Sequence, residues 1–406
     1  MVNLRQVSRP LATGVLRSPL ARGLVIGGAA VVGWAIARRY VRDNDCRLID
    51  WEWATRVAAR ACGPDGTLQA DSRLRLQREY EAMVREIEQP IADYTGTRLP
   101  LGQTKVLVLD RADWIKANVA NFEQLFQPVE ELYQESLRKS GPGLPGMTSL
   151  SRMFLSGQVG LLLGYLARKV LGQYDISLLG REPLESGKLY FVEPNIQVLE
   201  RQLEVPPAEL RKWIALHEAT HAHEFEVNPW VRGYLNGQLH GYLRSMADEL
   251  GGASTLSVLG TILTRLAQNV RNGHNLIEAV MSPHQRQMLS RLQALMSLAE
   301  GYSNHVMNRI GAELLPHYDE IHARVEQRQR ERGQIEELFL HLTGLKMKME
   351  QYALGEKFAS RVVDQRGMGF LNQAWQEPER LPTEAEVRDP ERWIARMDEL
   401  AAATWA

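Results

Sequence analysis

Between Pro207 and Asn228 the apolar residues Leu210 and Ile214 are followed, at the same spacing of three or four, by His217, His221 and Phe225. That period marks one face of a helix. Pro206-Pro207 supplies a start, because proline tolerates the first turn, and Asn228-Pro229 supplies a stop. Two imidazoles therefore stand on the stripe that faces inward. A buried polar ring needs a hydrogen-bond partner or a metal ion.

The same reading gives helices along most of the chain. Asp50 to Cys62 is one, followed by a Gly63-Pro-Asp-Gly66 turn. Ser72 to Glu88 is another, predicted to end before Pro90. Asp113 to Lys139 is helical with an interruption near Pro128. Ser149 to Leu171 is strongly apolar and carries Gly157, Gly160 and Gly164 at helical spacing. Arg152, Gln158, Arg168 and Lys169 leave its uncharged part too short to span a bilayer, so close packing on another helix is expected. Ser282-Pro283 opens a long helix with a serine cap. In the C-terminal third, residues 318–336 read as a solvated helix face and Leu345 to Phe358 as an amphipathic helix. Thr383-Glu-Ala-Glu386 is a capping box, and Asp389-Pro390 starts a further helix.

Two short runs, Lys105–Leu109 and Leu189–Val192, read as strands. The second lies just upstream of the histidine helix. It reads as a core strand first and as an edge for an extended ligand second. The fold class is thus mainly α, an α+β chain with a small sheet. Gly141-Pro-Gly-Leu-Pro-Gly146 is the clearest loop. It separates a helical lobe at 44–146 from a region at 147–406, with residues 1–43 standing apart.

Composition narrows the classes. Apolar content of 44% and charged content of 24% are ordinary for a globular protein. A net charge of −1 gives no electrostatic basis for nucleic-acid binding. Cys46 and Cys62, the only cysteines, cannot make a disulfide framework or a four-cysteine zinc site. In residues 1–43, Arg5, Arg9, Arg17 and Arg22 precede an uncharged run from Gly23 to Ala37, and Arg38, Arg39 and Arg42 follow it. Fifteen residues fall short of the roughly 20 that span a bilayer. The expectation is a cytoplasmic protein in which residues 20–42 serve either as a membrane-associated segment or as a helix docked on the domain.

The chemistry centres on His217-Glu218-Ala-Thr-His221, a His-Glu-x-x-His motif. Residues four apart on a helix lie one above the other, so both imidazoles reach one ion. Glu218 is turned about 100° away, where it suits a general base acting on water. A catalytic zinc takes three protein ligands and keeps one position open. The position six residues past His221 is Val227 rather than histidine, which excludes the metzincin pattern. Leu289, Leu292, Met296, Ser303, Met307 and Ile310 trace the inward face of the long helix, and Glu300 falls on that stripe. Glu300 is therefore the expected third ligand. Asn304, one turn on, is expected to orient a ligand histidine through its carbonyl. His305 is the alternative ligand, or with Tyr302 a group for the oxyanion of a tetrahedral intermediate. Glu224, one turn past His221, is expected on a solvated helix surface, with a supporting role behind that histidine as the alternative, and His274, His284, His317, His322 and His341 are read as surface residues.

Several segments together resemble the bacterial zincin-like metallopeptidases of actinobacteria and Chloroflexi. They are Val170–Asp175, Val192–Ile196, Leu216–His221 with Pro229-Trp230, Glu300–Met307, Lys348–Tyr352, and Leu371-Asn372 with Trp375. The likeness keeps their order and runs from about Asp50 to the C-terminus. It implies a helical zincin-like fold, Zn2+ as the cofactor, His217, His221 and Glu300 as ligands, and Glu218 as the catalytic glutamate. Where many relatives have aspartate this chain has Asn304.

Two functions follow from this reading. The first is a zinc-dependent hydrolase acting on a peptide or protein substrate. The alternative is a metal-binding or regulatory module without turnover. A structural zinc site, closed by His305 as a fourth ligand, is a third reading.

Overall fold

The computed structural model describes residues 47–63, 68–99, 105–140, 145–174, 188–251, 282–330 and 346–404. The Gly23–Ala37 run, Cys46, His274, His341, most of the Gly63–Gly66 turn and the first part of the Gly141–Gly146 loop lie outside these residues.

Among the described residues the chain is mainly helical around one small sheet. Helix α1 (Trp51–Ala61) starts where the Asp50 carboxylate accepts the Trp53 N–H at 2.8 Å, the expected cap. Helix α2 (Ala70–Thr95) runs straight through Pro90, seven residues past the predicted end at Glu88. Proline removes one ladder hydrogen bond there. Burial of Ile87, Ile91 and Thr95 on either side of it carries the helix on to Gly96, whose φ of 70° makes a left-handed cap. Helix α3 (Arg111–Ser140) is likewise continuous through Pro128.

Helix α4 (Pro145–Ala167) packs along α1, as the glycine spacing predicts. A Cβ on Gly160 would lie 2.5 Å from the Ala54 carbonyl oxygen, and one on Gly164 would lie 2.7 Å from that of Ala58. Only glycine lets the two backbones meet so closely.

Strand β1 (Lys105–Leu109) pairs in parallel with β3 (Lys188–Val192), and β2 (Gly172–Tyr174) pairs antiparallel on the other side of β3. Strands from either side of the Gly141–Gly146 stretch thus share one sheet. The order β1-β3-β2 leaves β3 central, with Leu189, Phe191 and Val192 fully buried. It is therefore a core strand. Among the described residues, β2 is an edge.

Helix α5 (Glu193–Leu203) leads into α6 (Pro207–Val227), which carries the histidine motif. Leu210, Ile214, Ala215 and Leu216 of α6 are almost wholly buried. Burial of a leucine or isoleucine side chain contributes about 1.5–3 kcal/mol. Helix α7 (Trp230–Gly251) follows, and then α8 (Pro283–Leu314), which opens with a full Ser282–Gln285 capping box. α8 crosses α6 on one side and is backed by α10 (Lys346–Arg366) on the other, with α9 (Tyr318–Arg330) between them in the chain. α8 and α10 approach closely at Gly301 and Gly355, where a Cβ on either glycine would run into the other helix's backbone. That contact fixes the rotation of α8 one residue from Glu300. The C-terminal helices α12 (Glu384–Arg388) and α13 (Pro390–Thr404), after the short α11 (Met368–Leu371), complete the core through Trp393, which is fully buried.

Candidate metal centre

Helices α6 and α8 bring His217, His221 and Glu300 together, although His221 and Glu300 are 79 positions apart in the sequence. They form the one group of three or more His, Cys, Asp and Glu side chains among the described residues whose ligand atoms converge within 4.8 Å. The His217 and His221 Nε2 atoms are 3.2 Å apart, with the rings edge to face. Glu300 Oε2 lies 3.7 Å from the first and 4.0 Å from the second. The circle through three points with those spacings has a radius of about 2.1 Å, and zinc bonds to imidazole nitrogen and carboxylate oxygen are about 2.0–2.2 Å. The donor set fits zinc in both chemistry and size. All three side chains keep some contact with solvent, at 23%, 12% and 19%.

Each histidine is steered from its far nitrogen. His221 Nδ1 is 3.0 Å from Glu224 Oε2, and His217 Nδ1 is 3.1 Å from Ser303 Oγ, with the Met307 sulfur also at 3.2 Å. With Nε2 turned to the centre, each Nδ1–H donates outward, which fixes ring orientation and raises ligand basicity. Glu224 is only 2% exposed. Of the two readings of Glu224, the solvated surface is corrected and the position behind His221 is the one found: the carboxylate is buried because it sits three residues beyond His221, on the same side of α6. Asn304 does not fill the orienting role foreseen for it. Ser303, its neighbour, takes the hydrogen bond to His217 instead. Ser303 lay on the inward stripe of α8 in the sequence, but a serine there carries no signal of its partner.

The electrostatics favour a cation. Burial and the neighbouring His221 hold the His217 imidazole down to about 3, so that ring is neutral. Burial also opposes charge on His221, yet Glu224, Glu300 and Glu218 push it up to about 10. Burial raises Glu224 to about 7 against the pull of His221. Three carboxylates around one imidazole thus hold a positive charge in place.

Glu218, next to His217 in sequence, is 7% exposed. It lies against β2: a Cβ on Gly172 would be 2.6 Å from both Cγ and Oε1 of Glu218. Gly172 has no side chain to displace the carboxylate. Nothing about a lone glycine in a three-residue strand announced this role. The edge strand beside the centre is β2 rather than Leu189–Val192, which is central in the sheet.

His305 and Tyr302 are placed elsewhere. His305 is engaged at both nitrogens, by Tyr94 Oη at 2.7 Å and Ser360 Oγ at 2.9 Å. It is not among the converging ligands. Tyr302 is buried and donates to Asn372 Oδ1 at 3.0 Å, so its hydroxyl is committed within the core. His223 is also buried, paired with Thr97 at 3.2 Å.

The sequence profile of the zincin-like metallopeptidases matches residues 49–394. Among solved structures, the chain is similar to a candidate hydrolase with a novel fold from Chloroflexus aurantiacus. The two share 39% identity with a TM-score of 0.63, over 86% of this chain and 99% of that one. No curated protein matches.

Proposed function

The chain belongs to the zincin-like metallopeptidase family, and from that premise we propose that it is a zinc-dependent peptidase in which Glu218 is the general base. The observation that carries this reading is the meeting of His217, His221 and Glu300 on a solvent-reached face, with Glu218 one residue from a ligand. His217, His221 and Glu300 would hold the zinc. Zinc in such a site lowers the pKa of water and polarises a carbonyl. Glu218 takes the proton from the attacking water and delivers it to the leaving amine. With their Nε2 atoms given to the metal and their Nδ1 atoms hydrogen-bonded to Ser303 and Glu224, the two imidazoles would leave that proton transfer to Glu218. The edge of β2 runs beside Glu218 and suits an extended peptide, which would add to the sheet by main-chain hydrogen bonds.

The test is Glu218→Gln. It should keep one zinc per chain by elemental analysis and lose about 10²–10⁴-fold in kcat/KM on a cleavable peptide found by library screening. A variant that cleaves as fast as the parent would remove Glu218 from this role. A parent chain that binds zinc but cleaves no peptide would favour the non-catalytic module.

A further inference from the structure

The three converging side chains differ in what holds them. His217 and His221 are each steered by a hydrogen bond at the nitrogen turned away from the centre. Glu300 has no such anchor. Its carboxylate makes no hydrogen bond among the described residues, and its partners are the two imidazoles at 3.7 and 4.0 Å. A glutamate side chain is rich in rotamers. With nothing gripping its tip, its placement is inherited from the backbone of α8.

What seats that backbone is α10, a helix that supplies none of the converging groups. Gly301, the residue after Glu300, lies against Gly355 of α10, and both are buried. A Cβ on Gly301 would stand 2.0 Å from the Gly355 carbonyl carbon and 2.6 Å from the Glu356 nitrogen. A Cβ on Gly355 would stand 1.9 Å from the Ser297 carbonyl oxygen and 3.3 Å from the Gly301 Cα. Every one of these neighbours is main chain, so no flexible side chain can yield. Glycine inside a helix costs about 1 kcal/mol relative to alanine, and here two face each other. The close approach is what they allow. Farther along the same interface, the His305 Nδ1 lies 2.9 Å from Ser360 Oγ, and the Asn308 amide donates to Glu356 Oε1 at 2.7 Å. α8 is thereby fixed against both rotation and sliding.

We propose that Gly355 is a positioning residue of the metal centre: by seating α8 at Gly301, it sets where the Glu300 carboxylate meets His217 and His221. The inference rests on the reading of those three side chains as zinc ligands. A methyl group at Gly355 would force the two backbones apart by about 1 Å, because a close-packed interface cannot absorb the collision. The spacings around the centre already match zinc bonds of about 2.0–2.2 Å, so a shift of that size takes Glu300 out of reach. The histidines, anchored on their own, would stay.

The test is zinc affinity of the full chain, read by competition with a chromophoric chelator. Gly355→Ala should lower it about 10–100-fold. Gly164→Ala, which makes a like collision between α1 and α4, should lower the Tm and leave zinc affinity within about twofold of the parent. In a Glu300→Ala background, most of the effect of Gly355→Ala on zinc should vanish, which a merely structural role would not produce. Unchanged affinity in Gly355→Ala would overturn the proposal and leave the zinc reading standing. An equal loss in Gly164→Ala, or an undiminished loss in the Glu300→Ala background, would overturn it too. A parent that binds no zinc would overturn both. Hydrogen exchange on the parent gives a check that needs no variant to fold. The amides around Gly301 should exchange as slowly after zinc is stripped by a chelator, since α10 rather than the metal seats them. Exchange that quickens in α8 and not in α1 or α4 would overturn the assignment.

Discussion

Helix α8 carries two acts of histidine chemistry only five residues apart, and the difference between them is instructive. Around Glu300, the rings of His217 and His221 each give one nitrogen to the protein and turn the other toward an acid and a second imidazole. At His305, protein hydroxyls take both nitrogens, from Tyr94 on one side and Ser360 on the other. Both places are largely sheltered, and burial holds His217 and His305 alike below the usual histidine value. Burial therefore does not separate a ligand from a core residue. What separates them is whether the ring's second nitrogen faces a hydroxyl or a shared centre of negative charge.

The most direct way to break this comparison is to remove one ring from each place. His221→Ala deletes a ligand and should abolish stoichiometric zinc. His305→Ala should keep zinc in full but lose about 1–3 kcal/mol of folding free energy, because the Tyr94 and Ser360 hydroxyls are left without their partner. Elemental analysis and thermal melts read the two effects separately. The same melts repeated with a chelator sharpen the contrast. Chelation should lower the Tm of the parent and of His305→Ala but leave His221→Ala unmoved, since only a bound ligand stabilises by mass action. If His305→Ala lost the metal and His221→Ala kept it, the two places would have to be exchanged.

The sequence carried one side of this contrast better than the other. The stripe through Leu210, Ile214, His217 and His221 was legible because helix period and motif agree. Glu300 was legible because a carboxylate on an apolar stripe needs a cation. The helix starts at Asp50, Ser282 and Thr383 were legible from their caps. The helices through Pro90 and Pro128 were not, since packing overrides a local breaker. Between its two readings Glu224 was placed on the solvated one, because a polar helix end looks the same in sequence whether it meets water or an imidazole. Ser303, Tyr94 and Ser360 went unassigned because a hydroxyl has no periodic signature: its partner lies 86, 211 or 55 residues away. The role of Gly172 depends on a strand of only three residues, too short to be read from periodicity.

The next effects in size come from the groups that steer the centre. Glu224→Gln keeps the shape of the side chain and removes its charge. Zinc affinity should fall about 10–100-fold, read by competition with a chromophoric chelator, while the fold is retained. An unchanged affinity would mean that Glu224 is only a helix residue that happens to be buried. Gly172→Ala probes the opposite wall. The new methyl group would meet Glu218 at 2.6 Å and push its carboxylate aside. Zinc content should stay the same and kcat should fall by about tenfold, in keeping with the sensitivity of catalysis to small misplacement. Loss of zinc in this variant would place Gly172 with the ligands instead.

The smallest effect belongs to a third histidine, which has an acid beside it but no second imidazole. His317 is exposed, and its Nδ1 lies 2.8 Å from Glu209 Oε1 while its backbone N–H donates to Oε2 at 2.9 Å. The hydrogen bond and charge of Glu209 raise the His317 pKa above 6.5. Against some desolvation, the same contacts lower Glu209 below 4.5. The histidine contribution is therefore complete below the unfolded pKa of about 6.5 and fades as pH rises through the higher folded value. The carboxylate contribution is complete above about 4.5 and fades as pH falls through the lower folded value. The Tm difference between the parent and His317→Gln should thus be greatest between about pH 4.5 and 6.5 and shrink in alkali. It should remain small throughout, because solvent screens an exposed pair. A difference that grew with pH would contradict the assigned pairing. A single acid beside a single ring, open to water, yields only this weak titrating contact. The metal centre adds a second ring, shelter, and carboxylates on two helices.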